Sequence, residues 1–266
     1  MEKKYELVEE STIELSFQKL YRIRALKDFG DVKVGDLGGY IEKEDNLSHD
    51  GNAWVYDDAQ VYDDARVFDN AKVSGNSKVC HNAKIYDDAW VRGNAQIYRN
   101  AQIYGTAIVS GNAKVEDYAS VFGNSRVYDN VWRCGHALVY DNARIHGDGR
   151  ISGNAKLYGN CIVRGNTQVS TNAKIFQDAW LHTNAQIFGN ASISHPSDYF
   201  IIEGFGTDYH IATFYKCQDG SIGVTCGSFT GTLNEFKSHV FRTQSEKIVE
   251  ECMLIAYLAE RYFMKK

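Results

Sequence analysis

From Ala53 to Ile193 the chain repeats one six-residue phrase, small-x-aliphatic-x-[Gly/Asp]-[Asn/Asp], 24 times without an insertion. A fixed short period constrains architecture before any other feature does, because each phrase must be one unit stacked on its neighbours. The small position is Ala except at Ser77, Ser125, Val131, Gly149, Cys161 and Thr167. Two residues on, the aliphatic position is Val, Ile or Leu from Val55 to Ile193, Arg133 excepted. Residues two apart on a strand share a face, so both point inward and the residue between them points out. The pair that follows, as in Gly75-Asn76 or Asp87-Asp88, supplies residue types that tolerate positive φ at a corner.

The number of strands per circuit is also legible. If three phrases, 18 residues, complete a coil, the outward residues after the aliphatic position sort into three columns. One column reads Phe68, Tyr86, Tyr104, Phe122, Tyr140, Tyr158, Phe176, Ser194, whereas the others hold only Tyr56 and Tyr128, or Tyr62, Tyr98 and Phe188. That concentration predicts a triangular all-β solenoid of about eight coils, roughly 38 Å long at about 4.8 Å per stacked strand. The corner column Asp58, Asn76, Asn94, Asn112, Asn130, Asp148, Asn166, Asn184 predicts a ladder that satisfies stacked polar groups along one edge.

On this repeat the chain resembles the hexapeptide-repeat, left-handed parallel β-helix superfamily, over about half its length. Left-handed coiling is implied by the resemblance and not by the spacing, and it departs from the usual right-handed crossover. The superfamily's habit of forming homotrimers is implied in the same way.

Residues 1–52 read as an N-terminal cap, which a solenoid needs over its exposed core and strand edges. Tyr21 to Leu26 alternates as a strand, and Gly30, Gly35, Gly38 and Gly39 mark turns before Tyr40-Ile41. The leader Asp28-Phe29-Gly30-Asp31-Val32 with Gly35-Asp36-Leu37-Gly38-Gly39-Tyr40-Ile41-Glu42 resembles that of uncharacterised phage and prophage repeat proteins. That resemblance implies a viral or prophage setting without an activity. The helix from 53 to 196 ends at Pro196, the sole proline. Residues 197–266 read as a small C-terminal α+β domain. Tyr199–Phe205, His210–Tyr215 and Ile222–Thr225 are expected strands, the capping box Thr232-Leu233-Asn234-Glu235 opens a helix, and a second helix runs from Ser245 to about Phe263.

Composition narrows the function classes. A net charge of −5 gives no general nucleic-acid footprint. The six cysteines form no C-x-x-C pair, which favours reduced thiols in a cytoplasmic setting over disulfides or zinc. Met1 to Glu10 is charged and no apolar run nears 18 residues, so neither a secretion signal nor a membrane span is expected.

Three surface features are candidates for function. The aromatic column is flanked by Arg66, Lys84, Lys156 and Lys174, and rings with cations suit stacking on bases or sugars. Self-stacking between coils is the plainer reading. The outward column Trp54, Lys72, Trp90, Ile108, Arg126, Arg144, Ile162, Trp180 is apolar enough to be an oligomer interface through Trp54, Trp90, Ile108, Ile162 and Trp180, unless a terminal element covers it. The third is the place where the repeat breaks: Val131, Trp132 and Arg133 together, with Cys134 stacked beside Glu116 and His136 beside Tyr118. Pattern violations mark functional sites. An inward arginine needs an acid or carbonyls, so either Glu116 swings toward it or the strand bulges and turns it out.

The reading is therefore a ligand-binding set of Arg133, His136, Tyr118, Trp132, Tyr104 and Tyr140 on a non-enzymatic scaffold that binds a host protein or a nucleotide-like small molecule. The alternative is an acyl-CoA-dependent acyltransferase with His136 as base beside Glu116, as the superfamily's acyltransferases use histidine. No cofactor is expected. A metal site is rejected because His146 and His182 lie two coils apart with Arg164 between them.

Overall fold

A computed structural model describes residues 2–15, 17–205 and 210–264. The repeat folds as a parallel β-solenoid in which each phrase contributes one two-residue strand, and strands 18 residues apart pair, as Trp90 with Ile108 and Val91 with Val109. Two faces of the prism carry eight such strands. The third belongs to an 11-stranded sheet that continues into the N-terminal segment.

Each strand is short because a corner follows it. Every sixth residue from Gly51 to Gly189 has φ between +52° and +86°, the left-handed region that favours Gly, Asp and Asn. Corner side chains then bond from coil to coil, as in the Nδ2-to-Oδ1 run Asn76, Asn94, Asn112, Asn130, Asp148 at 2.8–3.3 Å. The small and aliphatic positions fill the interior and are essentially inaccessible. Ser77, Ser125 and Thr167 sit there at no polar cost, because each hydroxyl donates to the carbonyl three residues back at 2.7–2.8 Å.

The solenoid has about nine turns, one more than the repeat predicts. The extra turn starts inside the cap, where Tyr40 pairs with Gln60 and Leu47 bridges Val67, an offset two residues longer than the repeat. Strand β3, Leu37–Ile41, makes this first parallel pairing. Its close approach needs Gly39, where a Cβ would stand 2.5 Å from the Ala59 carbonyl oxygen. β1, Tyr5–Leu15, and β2, Gln18–Ala25, form a hairpin that extends the same sheet. Ahead of β1, Lys4 is buried over the open end, donating to Ala53 O at 2.9 Å and Gly51 O at 3.3 Å.

At the far end, strands Tyr199–Phe205, His210–Lys216, Ile222–Cys226 and Phe229–Thr232 form an antiparallel sheet, followed by helices α1, Leu233–Thr243, and α2, Glu246–Met264. The expected capping box opens α1, with Thr232 and Glu235 bonding reciprocally. Tyr199 and Tyr215 close the solenoid core, while Phe214, Val224, Phe236, Val240 and Ala256 build a second one. The two are stitched by the bridge Ala191–Cys217 and by Gln186 N–H donating to Thr213 Oγ1 at 3.1 Å. No described helix is long and apolar enough to cross a membrane.

Candidate ligand-binding face

The break in the repeat separates into an inside and an outside. Arg133 stays in the regular strand Trp132–Arg133, which pairs in register with Val115 and Ile151, so there is no bulge and the side chain points into the prism. It is wholly buried. Its Nη2 donates to Ser120 O and Ala137 O, each at 2.9 Å, while Nε and Nη1 have no partner. Glu116 does not reach it, so of the expected compensations only carbonyls serve. Burial pushes the guanidinium down to about 9, which still leaves it charged at neutral pH.

Outside, Trp132 is 44% exposed and its indole N–H donates to the Glu116 carboxylate. Glu116 also lies 3.8 Å from Arg99, whose main partner is Asp117. The Gly135 N–H, donating at 3.0 Å, and then Arg99 hold the Asp117 carboxyl below the usual carboxylate range. Burial, then Glu116, pushes the Tyr98 phenol up to about 12 and also raises the Cys134 thiol. One coil on, Arg150 lies over the Trp132 ring at 5.6 Å. Trp132, Cys134, Arg150, Ser152, Gln168 and Phe188 line an open groove of about 280 Å³.

The predicted residues therefore do not converge on one pocket. His136 is exposed and stacks on Tyr118, rings 5.0 Å apart and 11° from parallel. Among the described residues no hydrogen bond or ion pair joins His136 to Glu116, which is engaged by Trp132 and Arg99. Arg133 lies on the other side of the sheet from both. Tyr104 and Tyr140 belong to a continuous ring stack, Phe68 to Phe176, with centroids 4.7–5.3 Å apart and planes within 14°. Both faces of each are covered by neighbours, so they offer edges and hydroxyls to a ligand instead of a stacking platform.

The apolar column splits as well. Trp54 is only 1% exposed, because Tyr5 and Phe29 of the cap pack edge-on against it at 6.1 and 5.3 Å. It is a seal for the N-terminal end and is not available to a partner. Trp90 and Trp180 remain 37% and 41% exposed, with Arg92 and Arg164 each 4.5 Å over the indole, and Ile108 and Ile162 lie half-buried between them.

Comparison with known proteins agrees with the solenoid. A family model described as YdcK Beta solenoid repeat matches residues 59–75. The uncharacterized acetyltransferase YdcK of Escherichia coli (strain K12) is 40% identical over 63 residues, 21% of this chain and 19% of that protein. The likeness thus spans about a fifth of the relative's length.

Proposed function

We propose that the chain is a non-enzymatic accessory protein of phage or prophage type, acting in the bacterial cytoplasm as a rigid homotrimeric scaffold. The groove beside Trp132 and Arg150 takes a planar, anionic, nucleotide-like molecule. The observation that carries this reading is the pairing of an exposed indole with an unburied guanidinium over a shaped groove, the combination that stacks on a base and neutralises a phosphate. The Trp90, Ile108, Ile162 and Trp180 face supports trimerisation, since a run of exposed apolar groups favours subunit contact. Titrating the purified protein with a panel of nucleotides, followed by native mass spectrometry, tests both parts. Ligand retained by a trimer and lost in Trp132→Ala supports the reading. A monomer with no nucleotide bound refutes it, and a co-purifying host protein in its place would favour protein binding.

A second reading, acyl transfer from acyl-CoA, draws on the printed name of the E. coli relative. His136 would then be the base, and a partner subunit would have to supply what Glu116 does not. Turnover with acyl-CoA that disappears in His136→Ala would establish it.

A further inference from the structure

Asp63, Cys80 and His81 bring a carboxylate oxygen, a thiol sulfur and an imidazole nitrogen within 4.8 Å of one another. The solenoid makes this happen. Asp63 and His81 occupy equivalent corners one coil apart, and both have positive φ, +57° and +59°. On a straight strand Cys80 and His81 would point to opposite faces. The left-handed corner turns the His81 ring back so that its Nδ1 lies 3.1 Å from Cys80 Sγ and 3.9 Å from Asp63 Oδ2.

We propose that these three side chains bind one divalent cation of the zinc class. Thiolate, imidazole and carboxylate together are a borderline-soft donor set, suited to Zn²⁺ and its congeners and poor for Mg²⁺ or Ca²⁺. Usual Zn–S, Zn–N and Zn–O lengths put tetrahedral donors roughly 3.3–3.6 Å apart, and the observed 3.1 and 3.9 Å bracket that range. Three protein ligands leave the fourth position to water or an added ligand.

The surroundings already orient the donors. Asp63 Oδ2 accepts the His81 N–H at 3.0 Å, and its Oδ1 accepts from the Gln18 amide of the N-terminal hairpin. Such outer contacts fix ligand geometry. Cys80 is 7% exposed, whereas the His81 side chain is 57% exposed, which gives an ion a way in. On binding, the Cys80 S–H bond breaks, its electron pair forms the sulfur–metal bond, and the proton leaves to buffer. The ion would tie together two coils and, through Gln18, the hairpin beside them.

Co²⁺ added anaerobically to chelator-treated full-length protein tests the site. The expected result is one equivalent bound, with a near-ultraviolet thiolate-to-cobalt band and tetrahedral visible bands, both abolished by Zn²⁺. Cys80→Ser should remove the charge-transfer band. Asp63→Asn keeps an acceptor for the His81 N–H, so it should fold normally and weaken Co²⁺ binding by about tenfold or more. Cys134→Ser should change nothing. Wild-type protein without a charge-transfer band, or one whose band and affinity survive both Cys80→Ser and Asp63→Asn, would overturn the proposal.

Discussion

Arg133→Met should make the protein more stable. The wild-type interior holds a full positive charge with no carboxylate beside it and two unpartnered nitrogens. Removing an ion from water into such a site costs several kcal/mol, which two carbonyl bonds offset only in part. Methionine has similar length and reach, carries no charge, and adapts to irregular space. Nor does its introduction strand both carbonyls, because Ala137 O already accepts the Ser120 N–H at 3.0 Å. Replacing buried charges by apolar groups of like volume elsewhere is neutral or gains about 1–4 kcal/mol. The upper half of that range is appropriate here, since no acid partner is lost. Thermal melts followed by circular dichroism should show Tm higher by at least about 4 °C, at roughly 2–4 °C per kcal/mol for a chain of this size. Urea titrations should give an unchanged slope and a higher midpoint. A fall in Tm would refute the reasoning, because it would mean that the guanidinium has a compensating partner in solution.

Three further outcomes follow from the same packing. Gly111→Ala should cost more than about 1 kcal/mol, since φ is +71° and the new Cβ would meet Asp129 N at 2.6 Å, whereas Gly149→Ala, nearest atom 3.6 Å and φ not positive, should be neutral or gain about 0.4–1 kcal/mol; paired urea melts distinguish them. Asn112→Ala breaks the bonds to Asn94 and Asn130 and should cost about 1–2 kcal/mol at these exposed positions, read as a lower urea midpoint. Burial lowers Lys4 to about 8, so the penalty for its charge is complete below pH 8 and fades as pH rises toward 10.5, where the unfolded chain also loses its proton. The stability of Lys4→Met relative to wild type should therefore fall across that window, and a difference independent of pH would contradict the assigned burial.

The solenoid was legible because its inward positions never leave register over 24 phrases, and the 18-residue sorting placed Tyr118 on His136 and aligned the ring stack correctly. Other elements lacked such a signal. β1 hides because a register shift between Val8 and Thr12 interrupts its alternation. The first turn hides because its offset is longer than the repeat. Trp54, Trp90 and Trp180 occupy the same place in their phrases, yet Trp54 alone meets Tyr5 and Phe29, and contacts across that distance in sequence leave no trace in a local pattern. The inward direction of Arg133 followed from its position, but the allegiance of Glu116 to Trp132 depended on side-chain reach. Asp63 and Cys80-His81 went unseen because the search for metal ligands followed histidine columns and not corners of adjacent coils.

The regular corners also bear on how such a chain can change length. Between the Tyr40–Gln60 pairing and the Ala191–Cys217 bridge, every coil presents the same backbone above as below. Duplicating or deleting one whole circuit would leave both terminal seals meeting the surfaces they meet now. Gain or loss of a single phrase would instead rotate everything downstream by a third of a revolution, carrying the ring stack onto a new side. Descendants of this gene should thus differ in extent by complete circuits.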